Sequence, residues 1–207
     1  MTEVANVVRT AYDKVAELYA AMYERALGQM PFDRAMLGAF AELAADTGPV
    51  ADLGCGPGRL TGHLHAVGLD VFGVDLSPEM IRLARIAHPE IRFEQGSMAS
   101  LDLADGALGA LVAWYSIIHT PPEQLPTILD EFARVLRPNG LALLAFPVTD
   151  ASVEAFDHKV ATAYRWSPES LAELLDRHGL RTTMRMVREP NELERGRQAC
   201  LLVEKGA

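Results

Sequence analysis

From about residue 50 onward, short apolar runs alternate with segments whose apolar residues recur at helical spacing. The short runs predict buried strands near residues 50–54, 71–75, 91–94, 109–114 and 141–147. The segments between them predict helices near residues 59–66, 79–87 and 123–136. Because strands that alternate with helices usually pair in parallel and carry helices on both faces, the pattern predicts an α/β fold.

The helix near residues 123–136 has the most sequence signals. Thr120 and Glu123 have the spacing of a capping box at its start. Its apolar stripe consists of Leu125, Ile128, Leu129, Phe132 and Val135. The segment 138–140 (PNG) then predicts a turn into the next strand.

The two ends of the chain depart from this alternation. Residues 4–22 and the residues after Pro31 predict two helices that precede the first strand. Residues 148–166 lack strong periodicity and predict a long loop, which is usually functional or mobile. A last helix capped by Ser167 follows, and then residues 180–188 and 198–204 predict an antiparallel strand pair.

Length and composition are consistent with one domain that has a full core. The chain has 207 residues, of which 49% are hydrophobic and 23% charged. We treat residues 1–207 as a single domain with an N-terminal helical part (1–46), a central core (47–147) and a C-terminal part (148–207). The net charge of −9, with no basic cluster, argues against a nucleic-acid partner.

Neither cysteine chemistry nor a membrane segment is indicated. Cys55 and Cys200 form no disulfide framework, and no segment has the spacing of metal ligands. No apolar run approaches the length of a membrane span, and the first residues lack the features of a signal peptide. We therefore expect a cytoplasmic protein without a metal.

The first predicted strand ends in a turn with three glycines at alternate positions. Residues 50–58 read VADLGCGPG, so Asp52 precedes Gly54 and Gly56. A dinucleotide fingerprint requires Gly-x-Gly-x-x-Gly, and Arg59 occupies the position of its third glycine. The turn therefore favours a ligand other than a pyrophosphate, and the carboxylate of Asp52 suits a cationic group.

A second carboxylate, Asp75, ends the next predicted strand. A carboxylate in this place can accept hydrogen bonds from both hydroxyls of a ribose. The alternative is that Asp75 only stabilises the helix that begins after Ser77. A glycine turn beside a ribose-binding acid favours a nucleoside with a charged, phosphate-free tail, which is the shape of S-adenosylmethionine.

The segments DLGCGPG (52–58) and GVDLSPEM (73–80) resemble the first two motifs of class I S-adenosylmethionine-dependent methyltransferases. The segments 93–98, 110–119 and 132–141 continue the resemblance in order. It implies a Rossmann-like, mostly parallel sheet of seven strands with a C-terminal antiparallel hairpin, helices on both faces and an N-terminal helical lid. It also implies S-adenosylmethionine as methyl donor and S-adenosylhomocysteine as product.

The resemblance assigns the donor site. Asp52, Gly54 and Gly56 would hold the methionine portion of the donor, and Asp75 would hold its ribose. The other predicted donor contacts are Tyr19, Leu76, Met80, Ser97, Met98 and Trp114. Ser97 stands where many members of the family carry an acidic residue that binds the adenine amino group.

The acceptor side is less constrained by sequence. His119 follows the fourth strand and is the candidate base, although a packing role at a helix cap is an alternative. The other candidate acceptor residues are Tyr12, Tyr115, His158 and Arg165. Tyr12 and Tyr19 lie two helical turns apart, so both are expected to face the cavity from the lid. His158 is an alternative base, and Arg165 would pair with an anionic acceptor, unless both belong to a solvent-facing loop.

These residues predict transfer of a methyl group to an O, N or C nucleophile of a small-molecule acceptor by in-line displacement. A non-catalytic module that binds S-adenosylmethionine is the alternative, and an NAD-dependent oxidoreductase is disfavoured by the glycine spacing. Neither the glycine turn nor Asp75 identifies the acceptor.

Overall fold

A computed structural model of the chain describes residues 2–23, 26–192 and 194–207. The helices in these ranges are α1 (Glu3–Tyr23), α2 (Pro31–Ala44), α3 (Arg59–Ala66), α4 (Pro78–Ala87), α5 (Leu125–Val135) and α6 (Pro168–Arg177). The strands are β1 (Val50–Leu53), β2 (Val71–Asp75), β3 (Phe93–Gln95), β4 (Leu108–Trp114), β5 (Leu136–Pro147), β6 (Val153–Phe156), β7 (Ala163–Trp166), β8 (Leu180–Arg188) and β9 (Gln198–Lys205). Short 3-10 helices cover Ala26–Gln29 and Ile117–His119.

Seven of these strands form one sheet in the order β3-β2-β1-β4-β5-β9-β8. The first five strands pair in parallel, whereas β9 is antiparallel to both β5 and β8. The predicted Rossmann-like sheet with a C-terminal antiparallel hairpin is therefore confirmed. The strand order reverses between β1 and β4, and such a point in a parallel sheet is where a ligand cleft opens.

Apolar residues on the two faces of the sheet form two separate cores. On one face, Val50 and Val112 pack with side chains from α2 and α3. On the other face, Leu53 and Leu111 pack with α5 and α6, where Phe132 is fully buried. Because successive strand residues point to opposite faces, continuous apolar strands fill both cores. The helices thus fix the sheet from both sides.

Helix α1 lies across the edge of the sheet at which β1, β2 and β4 end, and polar contacts attach it to the start of α4. Ser77 Oγ donates a hydrogen bond to Asp13 Oδ1 at 2.6 Å. Arg82 Nη2 lies 3.2 Å from Glu17 Oε1 in an exposed ion pair. Ala16 is the buried residue of α1, and Leu18 is 65% exposed. We call α1 the lid because it covers the cavity described below.

The segment 148–166, predicted to be a loop, contains a strand pair. Val153 pairs with Trp166 and Phe156 pairs with Ala163 in an antiparallel hairpin. Each strand has four residues, and only Ala163 and Trp166 are buried. Strands this short give too few alternating positions for a detectable period, which is why the prediction of an irregular loop was wrong.

The start of α5 also differs from prediction. The helix begins at Leu125 and its N-cap, Gln124, makes no side-chain capping bond, so the capping box at Thr120 and Glu123 was wrong. A helix capped by Thr120 would need Pro121 in helical conformation. Pro121 precedes Pro122, and a residue before proline is disfavoured in that conformation. The carbonyl of Pro121 instead accepts hydrogen bonds from the N–H groups of Gln124 and Leu125.

The predicted turn at 138–140 lies inside β5. The pairing of β4 with β5 jumps from Leu108–Leu136 to Ala110–Leu141, so the extra residues form a bulge. Asn139 has a φ of 60°, a left-handed conformation that asparagine tolerates better than most residues. The predicted turn is therefore present, but it forms a bulge within β5 instead of preceding the strand.

No helix among the described residues has the length and apolar character needed to cross a membrane.

The core under α5 yields a stability prediction. Phe132→Ala is expected to lower the free energy of unfolding by about 3–5 kcal/mol, because it leaves a cavity in the core. Ile86→Ala in α4 is the control, since Ile86 is 68% exposed, and it should change stability by less than about 0.5 kcal/mol. Urea denaturation measures both values, and similar losses for the two variants would contradict this description of the core.

Candidate active site

A cavity of about 400 Å³ lies between the carboxyl ends of β1, β2 and β4 and the lid. The residues at its base come from the ends of the strands: Gly54, Gly56, Asp75, Leu76, Ser77, Gly96, Ser97, Met98, Trp114, Tyr115 and Ser116. The residues that close it come from α1, α4 and the region before and within α5, and include Val8, Tyr12, Tyr19, Met80, His119 and Gln124. A cavity of this size is typical of a small-molecule site.

The turn after β1 brings backbone to the cavity because side chains would not fit there. Gly54 and Gly56 have φ values of 75° and 55°, in the left-handed region that favours glycine. A Cβ atom on Gly54 would lie 2.3 Å from the Cβ of Ser116. The glycine at position 54 therefore meets both a conformational and a steric requirement.

Asp75 fixes this turn to the end of β2. Its Oδ2 accepts a hydrogen bond from the Gly56 N–H at 2.8 Å, and its Oδ1 accepts one from the Ser77 N–H at 2.8 Å. Burial raises the pKa of Asp75, and these two backbone bonds oppose that rise. Ser77 in turn accepts from the Met80 N–H at 3.1 Å and caps α4 as expected.

Asp52 is not among the residues that line the cavity. Its carboxylate is buried and accepts a hydrogen bond from Thr61 Oγ1 at 2.7 Å. Burial raises the pKa of Asp52 to about 7. Asp52 points to the side of the sheet that α3 covers, so the predicted direct contact with the donor does not agree with its position.

The lid places two tyrosines at the cavity. Tyr12 and Tyr19 both line it, with ring centroids 5.7 Å apart in an edge-to-face arrangement. Val8 lines the same wall one turn before Tyr12. Val8 has the same helical spacing as the two tyrosines, so this apolar contact could also have been predicted from the sequence.

His119 bonds through both ring nitrogens. Its Nδ1 lies 2.9 Å from the carbonyl oxygen of Thr162, and its Nε2 lies 3.0 Å from the hydroxyl of Tyr12. A carbonyl only accepts, so Nδ1 carries the proton and Nε2 accepts the hydrogen bond of Tyr12. Burial lowers the pKa of His119 to about 4, the Thr162 bond opposes this, and the nearby His158 adds to it. The ring is therefore neutral at physiological pH.

Trp114 and Tyr115 line the cavity from the end of β4, with ring centroids 5.8 Å apart. Tyr115 has a φ of 55°, which is uncommon for a residue with a bulky side chain. Its hydroxyl is buried without a hydrogen-bond partner among the described residues. Such local strain is often found at functional sites.

Beneath Tyr115 lies a buried ionic cluster of Asp33, Arg188 and Glu194. Arg188 Nε donates to Asp33 Oδ1 at 2.9 Å, and Arg188 Nη2 donates to Glu194 Oε1 at 2.6 Å. Burial raises the pKa of Tyr115, and the negative charge of Asp33 adds to that rise. The cluster joins α2 to the end of β8 and supports this wall of the cavity.

Two predicted acceptor residues lie outside the lining. The ring of His158 is 5.1 Å from the ring of His119, centroid to centroid, and stands behind it from the cavity. Arg165 lies over the ring of Phe156 at 4.1 Å and pairs with Glu154 at 3.6 Å. Because the unrecognised β6–β7 hairpin holds both residues, the predicted pairing of Arg165 with an anionic acceptor does not agree with its position.

The predicted adenine contacts do meet at the cavity. Leu76, Met80, Ser97 and Met98 all line it. Ser97 Oγ accepts a hydrogen bond from the Ala99 N–H at 3.3 Å. Among the residues that the structure describes, no group of three or more His, Cys, Asp or Glu side chains is placed to hold a metal ion.

Comparisons with known proteins agree on the type of domain. Residues 50–140 match a protein family described as the methyltransferase domain. The malonyl-[acyl-carrier protein] O-methyltransferase of Pectobacterium atrosepticum is 31% identical over 134 residues, which are 65% of this chain and 47% of that protein. The chain spans about half the length of the curated relatives it matches.

Two solved structures share the fold over almost the whole chain. The 1,6-didemethyltoxoflavin-N1-methyltransferase of Burkholderia thailandensis, solved with 1,6-didemethyltoxoflavin and S-adenosylhomocysteine, has a TM-score of 0.81 and 22% identity over 99% of this chain and 90% of that chain. The magnesium protoporphyrin IX methyltransferase of Synechocystis PCC 6803, solved with bound S-adenosylmethionine, has a TM-score of 0.78 and 16% identity over 100% of this chain and 99% of that chain. At these identities the likeness concerns the fold.

The environment of His119 predicts a specific pH dependence. Between about pH 6.5 and 4 the unfolded chain binds a proton at His119 that the folded chain does not bind. The stability that His119 contributes is therefore complete above pH 6.5 and is lost progressively as the pH falls toward 4. NMR titration of its Cε1 proton should give a midpoint near 4, and His119→Asn should remove this part of the pH dependence of unfolding. A midpoint near 6.5 would contradict the buried, hydrogen-bonded position.

Proposed function

We propose that this chain, a member of the S-adenosylmethionine-dependent methyltransferases, transfers the methyl group of that donor to a nucleophilic atom of a small-molecule acceptor. The observation that carries the proposal is one cavity that joins a side-chain-free turn, the half-buried carboxylate of Asp75 and the hydrogen-bonded pair Tyr12–His119. The turn and carboxylate suit the donor, and the pair suits the acceptor. The donor supplies a methyl group that its sulfonium already makes electrophilic.

The ribose of the donor fits beside Asp75. A carboxylate has about four lone-pair positions on its two oxygens, and Asp75 uses one on each for backbone N–H groups. One position on each oxygen is left for a ribose hydroxyl. Because both oxygens are held in place by backbone, the carboxylate is ordered before the donor arrives, which lowers the entropic cost of binding.

The adenine and the methionine portion fit the two ends of the cavity. Leu76, Met80 and Met98 give an apolar slot for the adenine. Trp114 and Tyr19 present aromatic rings to the sulfonium end, and such a contact stabilises a cation by about 0.5–2 kcal/mol.

Arg59 and Asp52 act on the methionine side of the turn. Burial raises the pKa of Tyr19 to about 12 and that of Asp52 to about 7, and the positive charge of Arg59 opposes both rises. Arg59 begins α3 directly after the glycine turn, so its positive charge suits the α-carboxylate of the donor. Asp52 holds Thr61 in α3 and supports the turn without contacting the donor.

The net charge and the two free cysteines support a small-molecule partner and a cytoplasmic location. The net charge of −9 favours a small molecule over nucleic acid as the acceptor. Cys55 and Cys200 are both free and buried, which suits the reducing conditions of the cytoplasm.

Donor binding tests the proposal directly. Asp75→Ala should weaken binding of S-adenosylmethionine about 100-fold or more, because hydrogen bonds to a charged group contribute about 1.5–3 kcal/mol each. Asp70→Ala, an exposed acid before the start of the same strand, should bind with unchanged affinity. Isothermal titration calorimetry measures both, and circular dichroism checks that each variant is folded.

Melting temperatures of the wild type distinguish between S-adenosylmethionine and NAD as the ligand. S-adenosylmethionine should raise the melting temperature of the wild type, whereas NAD at the same concentration should not. A larger shift with NAD, or normal donor affinity in Asp75→Ala, would overturn the donor site. Donor binding without transfer to any acceptor would favour a non-catalytic module.

A further inference from the structure

We propose that Tyr12 and His119 form a two-step proton relay, in which Tyr12 contacts the acceptor and His119 takes the proton from Tyr12. We also infer that the acceptor is a small molecule that reacts through a hydroxyl or a weakly basic ring N–H. This inference rests on the proposed methyl transfer and specifies its acceptor.

The relay is built from three distant parts of the chain. Tyr12 lies on the lid, His119 ends the 3-10 helix after β4, and Thr162 lies on the connection between β6 and β7. The rings of Tyr12 and His119 meet edge to face, with centroids 5.5 Å apart. Because Thr162 accepts from Nδ1, the lone pair of Nε2 is directed to the hydroxyl of Tyr12. The tautomer and the ring orientation are thus both fixed.

In the relay, the hydroxyl of Tyr12 is the group that receives the proton of the acceptor. In this arrangement Tyr12 donates its own proton to His119, so its oxygen is left with lone pairs for an incoming donor. Both residues line the same cavity as the glycine turn. An acceptor that binds beside the donor methyl can therefore donate its hydrogen bond to Tyr12.

The transfer balances without a further reactant. The acceptor's lone pair forms the new bond to carbon, and the old carbon–sulfur bond leaves its electron pair on sulfur. The acceptor proton moves to the oxygen of Tyr12 while the proton of Tyr12 moves to Nε2 of His119. His119 ends as an imidazolium that still donates to Thr162, and it releases the proton to solvent when the products leave.

The electrostatics of the relay favour a concerted movement of the two protons. Burial raises the pKa of Tyr12, and Tyr19 and Asp75 add to that rise, so a free phenolate is disfavoured. On the other side, burial lowers the pKa of His119 to about 4, and His158 adds to this. Such a weak base cannot deprotonate the acceptor in advance. It can take a proton once the new bond to carbon has made that proton strongly acidic.

This requirement selects the acceptor class. An alkylated hydroxyl or amide-like ring nitrogen becomes a far stronger acid than imidazolium, so its proton moves readily to His119. A neutral amine forms a stable ammonium on methylation and needs no base in that step, so a relay would have no role with an amine acceptor. A carboxylate has no proton to give at neutral pH. Arg9 lines the cavity but already pairs with Asp13 at 3.2 Å, so its charge is not available to bind a carboxylate acceptor.

The relay also couples chemistry to the closed lid. The contacts of Tyr12 with His119 and of Asp13 with Ser77 both depend on α1 being docked. When α1 moves away, the relay loses its first member and the cavity opens to solvent. Proton transfer is thereby confined to the closed state, from which water is excluded.

The test uses the whole chain and a panel of probe acceptors. The panel contains simple phenols, catechols, aliphatic alcohols, lactam-type and heteroaromatic N–H compounds, primary amines and carboxylic acids. Formation of S-adenosylhomocysteine and of methylated product is measured by mass spectrometry. We expect methylation within the hydroxyl and ring N–H groups alone. Transfer to amines or carboxylates, or to none of the panel by a protein that binds the donor, would overturn the acceptor class.

Variants then test the relay on the best probe. Tyr12→Phe and His119→Gln should each lower kcat by about 100-fold or more, which is the usual contribution of general-base catalysis, and leave donor affinity within twofold. Tyr23→Phe, on the same helix but outside the cavity lining, is the control and should retain the wild-type kcat. A fall in kcat for His119→Gln with a normal kcat for Tyr12→Phe would mean that His119 contacts the acceptor directly.

A proton inventory separates transfer from mere positioning. In mixtures of H₂O and D₂O, kcat of the wild type should depend on the deuterium fraction with the curvature of two protons in flight. The residual activity of Tyr12→Phe should give a straight line. A straight line for the wild type would refute the relay. If the wild type did not bind S-adenosylmethionine, the proposed function itself would be refuted. Failure of the relay and failure of the proposed function are therefore distinguishable.

Discussion

The pair of hydrogen bonds that Asp75 accepts from the N–H groups of Gly56 and Ser77 is the interaction on which the rest of the site depends. It fixes the turn after β1 to the end of β2, and it orders the start of α4 through Ser77. The hydroxyl of Ser77 then binds Asp13 and attaches the lid. One carboxylate thus connects two strand ends, a helix cap and the helix that closes the cavity.

Several carboxylates lie buried or half-buried near this edge of the sheet, and each has a hydrogen-bond partner. An unpaired buried charge costs several kcal/mol. Asp52 is compensated by Thr61, Asp75 by backbone N–H groups, and Asp33 by Arg188. These bonds hold the site rigid, and Tyr115 is kept in its unusual backbone conformation above the ionic cluster. The arrangement is that of a preordered binding site that the lid covers.

Sequence periodicity predicted the alternating strands and helices, and the family resemblance supplied the seven-stranded sheet and the part of the site that is local in sequence. The glycine turn follows β1 and Asp75 ends β2, so their meeting follows from the parallel pairing of these two strands. The orientation of Asp52 was not predictable, because it depends on Thr61 in the following helix. The bond between Tyr12 and His119 joins residues 107 positions apart, for which no local pattern exists. The short strands β6 and β7 left no period, and so the positions of His158 and Arg165 were missed.

The most direct measurement is a crystal structure of the chain with S-adenosylhomocysteine. We expect the ribose hydroxyls on the carboxylate of Asp75, the methionine portion along Gly54 and Gly56, and the sulfur on the side of Tyr12 and His119. This expectation would be contradicted by a ligand bound away from the turn. It would equally be contradicted by a ligand in the reverse orientation, with its adenine against His119.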